Sequence, residues 1–363
     1  MDDSIRLNLR YKIAKLLKLF PQKKKRQLSE FEDLGLRARF YDALWQQAAE
    51  ALELSFEKLG YGFWQASNGQ GHWVRGNVSG IDLDRRISSV LSGNKPLTHR
   101  LLADIPGYRA PRYQEYTLAS IDRAQTFMIE QSAACVVKPA ADTGAGSGVS
   151  TDVTTRRALE TASIEAAVWS KHLLIEETIP GHSFRLLVLN DRLIHAVRRD
   201  PPMVTGDGRS RIEDLIEQEN RRRMSNGKVV SLFPIQIDFE CRQSLAKQSL
   251  RLSSVPAAGQ RVRVKDVVNQ NAAEQNVDVT DLVHPDIAKL AITASRHMGL
   301  SFCGVDVIAD DISVPLSQSG GVINELNAHP GLHHHYLTSA PDKPPVAEQL
   351  MAYCLARHKQ KDT

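Results

Sequence analysis

Two groups of residues in this chain have the types and spacing to handle a phosphorylated ligand. The first is Lys138 ahead of a glycine-rich loop, Asp142-Thr143-Gly144-Ala145-Gly146-Ser147-Gly148-Val149. Glycines at alternating positions let the backbone come close to an anion and turn its N–H groups toward the oxygens. A lysine just upstream adds a point charge for the same oxygens. No Gly-Lys-Ser/Thr follows these glycines and no GxGxxG opens a helix, so this is neither a Walker A loop nor a dinucleotide fingerprint. By itself the loop is equally well an ordinary surface turn after a strand.

The second group is acidic. Asp306 lies in the apolar run Gly304-Val305-Asp306-Val307, and Glu325 and Asn327 stand two residues apart in Asn324-Glu325-Leu326-Asn327. On a strand, residues i and i+2 share a face. A neighbouring strand can then bring Asp306 to Glu325 and Asn327. An acid inside such strands is costly to bury unless it is paired or metal-bound. Two carboxylates and an amide suit Mg²⁺, which leaves its other positions to water and substrate phosphates. A third set, Arg185, Arg198, Arg199 and Lys265, is basic and makes sense within strands if it faces a polyanion. His329, His333, His334 and His335 form a histidine cluster. Consecutive histidines cannot all face one ion, so a substrate-facing or exposed loop is the expectation there, not zinc. No Ser-His-Asp or Cys-His arrangement stands out, and no general base is identified.

These residues need elements to hold them. Cys135 to Pro139 reads as a strand, and a helix follows from about Thr155 to Ser170. Leu173 to Glu176 is a strand ending near Pro180-Gly181. Phe184 to Leu189 and Leu193 to Val197 form a hairpin turning at Asn190-Asp191. A helix from Pro285 to Met298 precedes strands at Cys303 to Ile308 and Val322 to Leu326. Earlier, residues 30–58 read as helical, 60–80 as short strands and turns, and Asn94 begins a further helix. Residues 222–258 are polar and irregular, a candidate mobile segment. Strands and helices alternate without strict βαβ order, which predicts an α+β fold with mixed sheets.

Composition bounds the rest. The 363 residues are 42% hydrophobic and 24% charged, with net charge +4. That is room for two or three domains of ordinary globular make-up. No run approaches the ~18 apolar residues of a membrane span, and the N-terminus is a poor secretory signal. The four cysteines are scattered and form no CxxC pair. A disulfide framework is not expected, and a reducing, cytoplasmic setting is. Ile5 to Phe20 reads as a basic amphipathic helix, followed by Lys23-Lys24-Lys25-Arg26. Contact with a membrane surface is one reading. A helix packed on its own domain and followed by a solvated linker is the favoured one. The basic run lacks interleaved aromatics, so nucleic acid is not expected as a partner.

Taken in order, these pieces resemble the ATP-grasp superfamily, and within it the ATP-grasp part of cyanophycin synthetase and of bifunctional glutathione synthetases. The likeness runs from about Asn94 to His335. It is carried by Ile175-Glu176-Glu177-Thr178-Ile179-Pro180-Gly181 through Arg185 to Val188, and by Arg198 to Pro201 with Gly206-Asp207-Gly208. Val279-Thr280-Asp281 with His284-Pro285-Asp286, Gly304-Val305-Asp306 with Asp311-Ile312-Ser313, and Asn324 to Asn327 complete it.

The resemblance implies nucleotide held between two α+β lobes, behind a smaller N-terminal α/β domain. It sets boundaries at 1–28 (basic segment), 29–93 (N-terminal domain), 94–176 (first lobe), 177–345 (second lobe) and 346–363 (C-terminal helix and tail). It implies that Lys95 and Lys138 contact phosphates, and that Gly144, Gly146, Ser147 and Gly148 form the phosphate lid. Glu176, Glu177 and Ile179 would border adenine, with Ser183 near ribose. Asp306, Glu325 and Asn327 would bind one or two Mg²⁺, with Mn²⁺ as a substitute. Arg185, Arg199 and Lys265 would face the phosphates or acyl group. Ser183 replaces the family's usual aspartate. Lys265 and Asn269 to Glu274 replace its Arg and Asn-x-Ser-x-Gly-Gly segment. The activity implied is ATP-dependent joining of a carboxylate to an amine through an acyl phosphate, on amino acids or short peptides. A phosphotransferase and a non-catalytic nucleotide-binding protein are the alternatives, and a homodimer is common in such families.

Overall fold

The computed structural model describes residues 3–19, 35–141, 146–225, 229–340 and 342–361. The basic run at 23–26 and Gly144 lie outside them.

Helix Leu36–Ala51 buries Leu36, Tyr41, Leu44, Trp45, Ala48 and Ala49, a stripe at three- and four-residue spacing. It packs on β1 (Ser55–Gly60) and on the C-terminal helix Val346–Lys361. With β2 (Phe63–Ser67) and β3 (Trp73–Gly76), β1 forms an antiparallel sheet. The helix expected over 30–58 therefore stops at Ala51. Glu53 takes a left-handed conformation (φ 54°) and the Leu54 N–H closes back on the Ala49 carbonyl at 2.9 Å. Phe56 then stacks on Trp64, centroids 5.7 Å apart. Tertiary packing outweighs the local helix preference of this stretch.

A four-stranded antiparallel sheet follows in the order β4 (Tyr113–Tyr116), β7 (Leu173–Glu177), β5 (Cys135–Pro139), β6 (Ser150–Val153). Helices Ile121–Gln131 and Arg156–Ala167 cover it, around Tyr116, Phe127, Val137, Leu159 and Ile175. The helix Asp3–Leu19 packs on Arg156–Ala167. Leu7 enters the same core, and Arg10 pairs with Glu160 at 3.0 Å.

The five-stranded sheet runs β12 (Asn276–Asp278), β9 (Arg192–Arg199), β8 (His182–Leu189), β13 (Phe302–Ala309), β14 (Val322–Asn327), all antiparallel. β8 and β9 make the expected hairpin, with Asn190 left-handed at its turn. Helix Pro285–His297 seals one face through Ile287, Leu290, Ala291 and Ala294 against Leu186, Ala196, Val305 and Ile323. Strand alternation sends their neighbours to the other face, where Arg185 and Asp306 share the surface with apolar residues such as Leu187 and Leu189.

Between β9 and β12 the chain builds a small unit. β10 (Met203–Thr205) pairs with β11 (Arg261–Arg263), flanked by helices Ile212–Met224 and Phe239–Lys247. Within the segment expected to be irregular over 222–258, Phe239–Lys247 is a helix, while most of the other described residues are in neither helix nor strand. Asp238 caps the second helix by accepting the Cys241 N–H at 3.1 Å, and Ile235, Cys241 and Leu245 are buried. Its polar sequence hid these three apolar positions.

All four cysteines are free and buried. Among the described residues, no helix is long and apolar enough to cross a membrane.

Candidate active site

The site begins with register. Asp306 on β13 stands directly opposite Arg185 on β8 and Glu325 on β14. Arg199 on β9 lies opposite Ser183, one pair further along the same face. Arg185 donates to Asp306 twice, Nε to Oδ1 at 2.6 Å and Nη2 to Oδ2 at 2.7 Å. Arg199 Nη2 donates to Oδ2 at 3.0 Å and to Ser183 Oγ at 2.9 Å. All three charged groups are buried. Such charge-assisted, bidentate pairs are what a desolvated carboxylate needs.

Glu325 completes the row. Its Oε2 is 3.3 Å from Lys95 Nζ, and its Oε1 accepts from Asn327 Nδ2 at 3.3 Å. Burial would push this carboxyl up. Lys95, Arg185 and Lys138 outweigh that and hold it well below the usual carboxylate range. Lys95 opens helix Lys95–Leu102, which Asn94 caps by accepting the Leu97 N–H at 3.1 Å. The Lys95 N–H also bonds to the Ala140 carbonyl at the end of β5, at 3.3 Å. That helix therefore joins the four-stranded sheet to the five-stranded one. On β5, Lys138 is buried against Glu176 of β7, at 2.6 Å. The other Glu176 oxygen, Oε1, is buried with no hydrogen-bond partner among the described residues. An unsatisfied buried acceptor costs about 1–3 kcal/mol, and it is open to a ligand's donor.

The remaining candidates are spread around this centre. Gly146, Ser147 and Gly148 form a turn, with Gly146 and Gly148 left-handed. A Cβ on Gly146 would lie 3.0 Å from Asn269 Nδ2, so the glycine loop touches the 269–274 segment. Glu177 is tied to Arg112, accepting its backbone N–H at 2.8 Å and its Nε at 2.9 Å. Ile179 is half-buried just beyond β7. Arg198 pairs with Asp200 at 3.0 Å. Lys265 is buried between Asp238 at 3.0 Å and Glu240 at 2.9 Å. Those two carboxylates engage it within the small β10–β11 unit, not in the Asp306 row.

Two features escaped the sequence. His99 lies four residues after Lys95 on one helix face, buried, with Nδ1 2.6 Å from the Tyr108 hydroxyl. Burial and the charges of Lys138 and Lys95 push its pKa down to about 4. The histidine stretch, expected as a substrate-facing or exposed loop, is a short helix, His333–Tyr336, with His334 and His335 buried and so not exposed. A helical turn rotates successive side chains by about 100°, so one turn can bury two neighbours that an extended loop would expose.

The donors fit a hard divalent cation in type: two carboxylates and an amide on adjacent strands. Among the described residues, no group of three or more His, Cys, Asp or Glu is gathered for a metal ion.

No family model matches the sequence. The fold is shared with the crystal structure of a bifunctional glutathione synthetase from Pasteurella multocida. The TM-score is 0.54 at 23% identity, covering 85% of this chain and 44% of that one. Two antiparallel sheets, with Lys138 on one and Lys95 on the helix that reaches Glu325 of the other, have the arrangement of an ATP-grasp fold. In sequence, the chain is 31% identical over 266 residues to cyanophycin synthetase of Crocosphaera subtropica, across 72% of this chain and 30% of that protein. It is 27% identical over 255 residues to the glutathione biosynthesis bifunctional protein of Clostridium perfringens, across 69% of this chain and 32% of that protein. The chain thus shares this fold and is similar in sequence to parts of these two synthetases. It spans about a third of the length of these curated relatives.

Proposed function

We propose that this protein is an ATP-dependent carboxylate–amine ligase acting on amino acids or short peptides through an acyl phosphate. The observation that carries it is the row Arg185–Asp306–Glu325–Lys95, with Lys138 and Glu176 beside it. With Arg199 it gathers four cations and three carboxylates where two sheets meet, cations for phosphate oxygens and carboxylates for a divalent cation.

In this reading Lys95 and Lys138 leave their carboxylate partners for phosphate oxygens. Arg185 and Arg199, fixed by Asp306, hold the acyl group and the transferred phosphoryl in line. Glu176 Oε1 and the strand beyond it receive the adenine edge. Gly146, Ser147 and Gly148 close over the phosphates and exclude water from the acyl phosphate. Asp306, Glu325 and Asn327 would hold Mg²⁺, which supplies charge neutralisation on the phosphates when bound. Relatives named for cyanophycin and glutathione synthesis support a peptide-like amide product.

The test is ADP release with ATP, Mg²⁺ and pooled amino acids and dipeptides, with mass spectrometry of products and Glu325→Gln as control. A product equal to two substrates minus water, absent in the variant, is the expected result. A stable phosphorylated product in its place would replace the ligase reading with phosphotransfer.

A further inference from the structure

The turn between β8 and β9 and the start of β13 border a surface cavity of about 310 Å³. It lies at the far end of the strand pair from the Asp306 row. Leu189 pairs with Phe302 at the cavity end, and Arg185 pairs with Asp306 four residues further on. That puts about 13 Å between the two places along the strands. The Asn190 N–H bonds to the Ser301 carbonyl at 2.7 Å and ties the two strands together at the cavity.

Three arginines from remote parts of the chain line it. Arg85 precedes helix Arg86–Ser92, Arg296 is in the last turn of helix Pro285–His297, and Arg357 is on the C-terminal helix. One carboxylate, Asp191, lines it with them and pairs with Arg296. Three arginines less one aspartate leave the lining at +2. Arg357 is held without a carboxylate: its Nη1 donates to the Leu83 carbonyl at 2.9 Å and to Ser301 Oγ at 3.0 Å. Its fork is fixed and its charge is kept. The Arg85 guanidinium is exposed, and no described residue pairs with it. The neighbouring Asp84 turns elsewhere, accepting the Ser301 and Phe302 N–H groups at 2.5 and 3.4 Å. Nor is Arg296 needed to cap its helix. The last carbonyls there accept from the Met298, Gly299 and Leu300 N–H groups at 3.1, 2.9 and 3.0 Å.

Like charges brought into one concavity repel, and an anion that takes their donors relieves the repulsion. A dianion matches the excess of +2. Guanidinium forks meet phosphate oxygens in pairs. Ser88 adds a hydroxyl to the lining, and a side chain at Gly299 would strike it at 2.9 Å. The volume is at the lower end of small-molecule sites, which run from about 300 to 1,000 Å³.

We propose that this cavity is a second anion site, which takes a small dianionic phosphate, free or as a monoester. Such a site does not depend on the ligase reaction. A bound dianion would bridge the β8–β9 turn, the start of β13 and the C-terminal helix.

The probes are inorganic phosphate and glycerol 3-phosphate, each titrated into the full ¹⁵N-labelled chain, with sodium chloride at matched ionic strength as the blank. Arginine Nε–Hε resonances read the site residue by residue, apart from any phosphate at the nucleotide site. The Arg85, Arg296 and Arg357 signals are expected to move together, with one dissociation constant on the order of 1 mM. Arg85→Gln, at an exposed position, is expected to weaken binding about tenfold and to leave ATP affinity within about twofold. Tighter binding of the ester assigns the site to phosphate monoesters, and equal or weaker binding assigns it to free phosphate; both support it. Signals that have not moved by about 20 mM phosphate, shifts matched by chloride, or an unchanged constant in Arg85→Gln overturn it. Loss of ATP affinity in that variant also overturns it, because the cavity would then belong to the nucleotide site.

Discussion

Asp306 carries the largest concentration of unfavourable solvation in the site, because it keeps two buried guanidinium groups satisfied at once. Removing its charge leaves Arg185 and Arg199 buried with only the more distant Glu325, 4.0 Å from Arg185, as counter-ion. Asp306→Asn is therefore expected to cost about 3–5 kcal/mol of stability, measured by urea unfolding. Glu325→Gln keeps more of its surroundings and is expected to cost less in the same measurement. At this scale the sequence was informative where a charge broke an apolar strand, as at Asp306, or where spacing put two polar side chains on a face, as at Glu325 and Asn327. It was silent on His99, whose partner Tyr108 arrives after a helix end and a turn. It singled out Lys265 but not its partners Asp238 and Glu240, which come from a helix and its cap that the polar sequence did not announce.

The single turn His333–Tyr336 shows what an element can do to ionisation. Burial lowers the pKa of His333 to about 3, and those of His334 and His335 well below the ordinary value. The unfolded chain takes up these protons near pH 6.5 and the folded one does not. More protons are bound in the unfolded state throughout that window, so stability falls as pH drops through it. The expected loss is roughly 1 kcal/mol per histidine per pH unit below 6.5. Urea midpoints at pH 7.5 and 5.5 measure it, and a flat profile would contradict the burial of this turn. Strand β13 makes a second prediction. A Cβ on Gly304 would lie 2.6 Å from Pro330 Cβ and 3.4 Å from Arg185 Cδ. Gly304→Ala should displace the Pro330 turn and Arg185 together. It is expected to lower ATP affinity at least tenfold with a smaller loss of stability, checked by calorimetric titration beside a melt. Hairpins and long amphipathic helices were legible because their period is local. The boundary at Ala51 was not, because Trp64, a dozen residues downstream, decides it.

Over the whole molecule, the first helix is fastened to the sheet bearing Lys138, through Leu7 and the Arg10–Glu160 pair. Deleting residues 1–34 is expected to cost about 2 kcal/mol, the value of one buried leucine, and to leave ATP affinity unchanged. Paired melting and titration would show it, and a lost affinity would mean that the segment reaches the site. The α+β class and the order of elements could be read from alternation along the chain. How the helix Lys95–Leu102 spans two sheets could not, since that depends on which strand ends meet in space.

The cross-strand row has a consequence for how the chain finds its fold. Side chains alternate along β8, β13 and β14, so a slip of one residue in their pairing would turn Arg185, Asp306 and Glu325 into the apolar layer under helix Pro285–His297. It would also bring Leu186 and Val305 out to the polar side. Mispaired sheets would carry several unsolvated charges, and only the native alignment lets those charges neutralise one another. The residues proposed to meet a nucleotide thus also act as a proofreading device during strand pairing, penalising misregistered sheets.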